Sequence, residues 1–150
     1  ITFKDIADVF EIRASLEALA AGLAAERITE EEIEYLERHL VEKADAIAKK
    51  DISRLVEVDT KFHEAIYRAS RNERLFSIIN NLREQIQRYR SLSLAYPGRM
   101  KHSLEEHRLI VEAIQARDIP GARQAAQEHI ENAENSMIES IKKDGFPTAD

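Results

Sequence analysis

The chain contains no cysteine and no tryptophan, and only 4 glycines and 3 prolines in 150 residues. Without cysteine there are no disulfides, thiolate metal ligands or thiol nucleophiles. So little glycine and proline supplies too few turn formers for a sandwich or a barrel. No apolar run approaches the ~18 residues of a membrane span. No basic-then-apolar leader opens the chain, so no membrane contact and a cytoplasmic location are expected. Positive charge is also short: 22 Lys and Arg stand against 28 Asp and Glu. The net charge of −6 argues against gripping a phosphate backbone unaided. The first residue is Ile1 and not Met, which suggests a piece of a longer protein.

What is present is helix composition, rich in Ala, Leu, Glu, Arg and Ile. At this length one domain, residues 1–150, is the natural expectation. Apolar residues recur with helical spacing almost throughout. A first helix is predicted from about Asp5 to Glu26, with the stripe Ile6, Val9, Phe10, Ile12, Leu16, Leu19, Ala20, Leu23. Thr29 and Glu32 form a capping box for a second helix, flanked by Ile28 and Ile33 at the spacing of a hydrophobic staple. Its stripe is Ile33, Leu36, Leu40, Ala44, Ile47. Asp51 caps a third helix, and Ser70-Arg71-Asn72 breaks the chain before a fourth that carries Leu75 to Tyr89. After the turn Tyr96-Pro97-Gly98, a fifth helix runs from Arg99 to about Arg117. Asp118 caps a sixth, with Pro120 in its first turn, and the last residues are expected to fray. The predicted fold is an all-α antiparallel bundle of about six helices.

Polar residues interrupt these stripes. Asp59 and His63 are one turn apart and share a face with Leu55, Phe62 and Ile66. His107 lies in line with Met100, Ser103, Leu104, Val111 and Ile114, and His129 lies among Ala122, Ala125, Ala126 and Ala133. A lone inward histidine is ordinarily a satisfied core residue. A carboxylate and three imidazoles on three helices are costly to bury unless they converge. Converged, they make a site for a borderline divalent cation, zinc first, with nickel and manganese also compatible. His102 stands roughly 140° around its helix from His107 and reads as a surface residue, as does His39. The alanines around His129 fit either a cavity or close helix approach. Arg13, at the edge of the first stripe, is either paired with Glu17 one turn on or an anion clamp at the cavity. Tyr89 and Gln85 on the fourth helix are weaker candidates for ligand contacts.

Four segments carry a likeness to a known family: EIRASLEALAAGLAA, VDTKFHEAIYRASRNERL, PGRMKHSLEEH and EEHRLIVEAIQARDIPGARQAAQEHI. The spacing Asp-x3-His, then 44 residues to His107 and 22 more to His129, is specific. From about Asp5 to Met137 the sequence resembles the C-terminal effector domain, or FCD domain, of the FadR subfamily of GntR-type bacterial transcription regulators. The resemblance implies a helical bundle holding a divalent metal through Asp59, His63, His107 and His129. It implies a small organic acid as effector, with Arg13 at the ligand pocket. It also implies a homodimer and a winged helix-turn-helix, N-terminal to this chain, that binds operator DNA. No enzymatic turnover is expected. Two other readings stand beside it: a metalloenzyme acting on a small carboxylate, and a metal-free helical dimerisation module.

Overall fold

The computed structural model describes residues 1–147. Residues 148–150, where fraying is expected, lie outside the described residues. Among the described residues seven α-helices follow one another: α1 (Phe3–Arg27), α2 (Glu30–Ala48), α3 (Ile52–Ala69), α4 (Glu73–Ile86), α5 (Arg90–Ala95), α6 (Arg99–Gln115) and α7 (Ile119–Asp144). The expected all-helical bundle is present, and no strand occurs among the described residues. The predicted fourth helix is the main departure in architecture. It is interrupted by a 3-10 turn over Gln87–Tyr89, and α5 continues beyond it. The interruption contains neither Gly nor Pro, so composition gives no sign of it.

The helix ends follow local chemistry. Thr29 and Glu32 form the predicted reciprocal cap. Thr2 and Asp5 form a second one, which starts α1 two residues ahead of the expected Asp5. Asp51, Asn72 and Asp118 each accept a backbone N–H three residues on. In a chain so poor in glycine, three helices end on left-handed non-glycine residues: Lys50 (φ 53), Arg71 (φ 58) and Arg117 (φ 57). These cations suit the negative helix ends. Gly98 (φ 82) closes the predicted turn, with Arg99 N–H donating to the Tyr96 carbonyl at 2.9 Å.

Helix α1 is the axis of the bundle and packs against α3, α4, α6 and α7. It runs antiparallel to α7. Ala21, Ala24 and Ala25 share one buried cluster with Ala122 and Ala126, while Ile6, Val9 and Phe10 share another with Ile130, Met137 and Ile141. Small residues bring the two helices close. A Cβ on Gly22 would stand 2.8 Å from Arg123 Cγ. Of the alanines near His129, Ala122 and Ala126 therefore serve close approach, whereas Ala133 lines a cavity.

The stripe assignments change on α1 and α2. Ile12 is 51% exposed. The inward line of α2 is Ile33, Leu36, His39, Lys43 and Ala46. Following only apolar residues had displaced that line by one position. His39 is consequently buried, with Nδ1 donating to the Tyr35 carbonyl at 2.9 Å, and is not a surface residue. His102 is exposed, as expected.

Candidate metal centre and effector cavity

The two buried clusters leave a polar layer between them. Helix α3 brings Asp59 and His63 into it, α6 brings His107 and α7 brings His129; all four are buried. His63, His107 and His129 each offer a ring nitrogen within 4.8 Å of the other two. His107 Nε2 lies 3.1 Å from His129 Nε2. Asp59 Oδ1 lies 3.4 Å from His107 Nε2 and 3.7 Å from His63 Nε2. The structure thus brings together all four residues singled out in the sequence.

Their surroundings fix the donor atoms. Glu106 Oε1 accepts from His129 Nδ1 at 2.6 Å, so the lone pair of that imidazole is at Nε2, on the cluster side. Glu106 is held in turn by both terminal nitrogens of Arg99, at 2.6 and 2.8 Å. Phe62 stacks on the His107 ring at 4.1 Å between centroids. Burial pushes His63 and His107 well below the ordinary histidine value, and the Lys43 ammonium lowers His107 further. Burial also lowers His129, against the opposing pull of Glu106. Burial by itself would raise Asp59, but Lys43, His63, Arg90 and His107 together hold it well below the ordinary carboxylate value. Neutral imidazoles beside an ionised carboxylate are the protonation states that a divalent cation needs. Donors sharing one such ion at about 2.1 Å stand about 3.0–3.4 Å apart. The 3.1 and 3.4 Å separations meet that spacing and His63, 3.7 Å from Asp59 Oδ1, stands just outside it, so the chemistry of the donor set fits a metal ion.

Several charged groups of this layer escaped the sequence reading. Lys43, from α2, is 1% exposed and donates to Ser103 Oγ at 2.6 Å and Asp59 Oδ1 at 3.3 Å. Burial lowers it to about 8 despite the Asp59 carboxylate beside it. Arg90, from α5, pairs with Asp59 Oδ2 and donates to Thr60 Oγ1 at 2.7 Å. Arg83 is buried on α4 with Nε and one terminal nitrogen unpartnered, near the Tyr67 ring. The signal for two of these was present. Lys43 follows Leu36 by seven residues, and Arg90 follows Arg83 and Ile86 by seven and four.

A cavity of ≈ 40 Å³ opens beside the cluster, bounded by Arg13, Asp59, His63, Arg90, Arg99 and His129 among others. The expected pairing of Arg13 with Glu17 is present, and Arg13 also lines the cavity. Its Nε donates to Glu17 Oε2 at 2.9 Å. Tyr67 Oη donates to the same Glu17 oxygen at 2.8 Å. Gln85 is exposed and donates to Asn81, away from the cavity. Tyr89 is buried in the apolar cluster of α1 and α7. Among the described residues, five cations (Arg13, Lys43, Arg83, Arg90, Arg99) are buried against two acids, Glu17 and Asp59.

Residues 8–132 match the FCD domain. The chain is 29% identical over 143 residues to the HTH-type transcriptional regulator YdhC of Bacillus subtilis (strain 168), covering 95% of this chain and 62% of that protein. Streptococcus agalactiae GntR superposes with a TM-score of 0.76 at 28% identity, over 89% of this chain and 59% of that one. The metal-free FCD domain of TM0439 gives a TM-score of 0.77 over 95% of this chain and 98% of that one; at 24% identity this is a likeness of fold. The chain spans less than two thirds of the length of the curated relatives it matches. On the match across residues 8–132, the chain belongs to the FCD domain family of GntR-type transcription regulators.

Proposed function

We propose that this domain is a metal-assisted sensor of small organic acids, without turnover, in a regulator of the FadR subfamily. The observation that carries the reading is the convergence of Asp59, His63, His107 and His129 beside a cavity bounded by buried arginines. Those four side chains would hold the cation, zinc first and nickel or manganese next. A bound cation supplies a Lewis-acid pole for carboxylate oxygens. The remaining work belongs to the protein. Arg13 and Arg90 present guanidinium groups to an anion in the cavity, and Glu17 with Tyr67 holds Arg13 in place. Phe10, Leu94, Ile130 and Met137 form the apolar wall that restricts its size.

The cavity is contacted by α1, α3, α5, α6 and α7, so a ligand preferring one arrangement of these helices shifts the population toward it. In a homodimer carrying N-terminal DNA-reading domains, such a shift changes the spacing of the two readers and hence the match to operator half-sites. The relatives named as transcription regulators support this reading over the metalloenzyme. The donor set likewise supports it over a metal-free dimerisation module.

The test is elemental analysis of the zinc-loaded, desalted chain beside its His107→Ala variant, followed by calorimetric titration of lactate, malonate and citrate. About one zinc per chain in the parent, its loss in the variant and binding of at least one acid are expected. Unchanged zinc in His107→Ala contradicts the ligand assignment, and turnover of a bound acid contradicts the sensor.

A further inference from the structure

The Lys43 side chain crosses from α2 into the donor cluster and ends among the groups that would hold a cation. Its Nζ lies 3.3 Å from Asp59 Oδ1, and 3.2 and 3.5 Å from Nδ1 and Nε2 of His107. The ammonium is thus within contact distance of both ring nitrogens and is not confined to one of them. Phe62 covers that ring at 4.1 Å, nearly parallel, so His107 is fixed in orientation. Ser103 Oγ, 2.6 Å away, accepts a third contact. Lys43 is 1% exposed, so it has no route to solvent without moving out of the cluster. A lysine so deeply buried is uncommon and requires partners. Its carboxylate partner here is an oxygen of a metal-ligand candidate.

We infer that Lys43 is an internal cation that shares Asp59 and His107 with the metal position, holding the donors together without metal and weakening metal binding. This inference rests on the metal-site reading above. Two cations this close repel strongly in a medium that screens poorly. Entry of a divalent ion therefore requires the ammonium to withdraw from Asp59, or the ion binds against its charge. Either way the site is tuned for loose, exchangeable occupancy. Arg90 on Asp59 Oδ2 adds to the same effect but leaves Oδ1 available, which makes Lys43 the residue in direct competition.

Zinc affinity of the 150-residue chain and of Lys43→Met is measured by competition with a chelator of known affinity. Folding of each is checked by circular dichroism. Lys43→Met, similar in length and uncharged, is expected to bind zinc at least tenfold more tightly. Lys43→Gln is carried in parallel should the methionine fail to fold. Equal or weaker affinity in a folded variant, with zinc bound by the parent, overturns the role of Lys43 and leaves the metal site standing. No zinc on the parent and on either variant overturns the metal site and this inference together. On the parent alone, the NMR signals of the buried Lys43 side chain are expected to shift as zinc is added to saturation. Signals that stay fixed while zinc binds overturn the competition without any substitution.

Discussion

Glu106 Oε1 accepts a hydrogen bond from His129 Nδ1 at 2.6 Å, which commits that imidazole to presenting Nε2 toward His107. Such outer contacts usually matter for metal affinity by about 10–100-fold. Glu106→Ala is expected to weaken zinc binding within that range while the helical content stays unchanged. Chelator competition measures it; an unaltered affinity would mean that His129 is oriented by packing alone.

Asp59 neutralises two buried cations, Lys43 and Arg90. Removing one partner of a buried ion pair costs about 3–5 kcal/mol, because the charge left behind stays buried. Asp59→Ala should therefore lower the unfolding free energy of the metal-free chain by about that amount, read from urea unfolding. A loss below about 1 kcal/mol would show that Lys43 and Arg90 find other partners or reach solvent.

A variant at Arg13 is expected to separate effector binding from metal binding. Arg13→Met keeps much of the side-chain volume and removes the guanidinium from the cavity. Affinity for whichever acid binds the parent is expected to fall about tenfold or more, as for loss of one charge-assisted contact, with zinc content unchanged. Loss of zinc along with the acid would place Arg13 in the support of the cluster and not in ligand recognition.

Acid should destabilise the metal-free fold, in two windows. Burial opposes ionisation of Glu106, but its bonds to His129 and Arg99 prevail and lower it to about 2 from 4.5. That contribution is complete above 4.5 and drains away as pH falls toward 2. His63, His107 and His129 are lowered from 6.5, so below 6.5 the unfolded chain takes up protons that the folded interior refuses. In both windows the unfolded state binds more protons, so stability falls with pH. The urea midpoint of chelator-treated protein is expected to be lower at pH 5 than at pH 7; an equal or higher midpoint contradicts this.

Lys50 is exposed and holds φ 53 at the end of α2. A left-handed backbone costs an L-residue about 1–2 kcal/mol, and glycine's greater freedom when unfolded offsets about 0.5–1 kcal/mol of the relief. Lys50→Gly should thus stabilise by up to about 1 kcal/mol in chemical denaturation. Destabilisation would indicate that the lysine contributes more through the helix dipole than its backbone costs.

The four candidate donors were legible because each is a polar interruption of an otherwise apolar line, and helical spacing alone says that it points inward. The same reasoning failed for Lys43, since α2 also offers Leu40, Ala44 and Ile47 one position around the helix, and an apolar reading prefers them. Glu106 was hidden by adjacency. It stands roughly 100° from His107 on its own helix and reaches the cluster only because α7 passes beside it. Arg99 lies at the first turn of α6, where a helix end gives few neighbours from which to read a face. The break at Gln87–Tyr89 has no local cause in composition; it appears only with the packing of α5 against α7, where Ser93 Oγ donates to the Ala133 carbonyl.

The buried excess of arginine and lysine has a kinetic consequence. With those five cations and two acids inside, the other described residues include 17 Lys and Arg against 25 Asp and Glu. An organic acid of the proposed kind would therefore cross an acidic shell before it meets a cavity lined by arginines. Added salt screens the shell over about 10 Å at 0.1 M and reaches the interior far less. Association should accelerate with ionic strength while dissociation changes little, the reverse of the usual attraction of an anion to a basic surface.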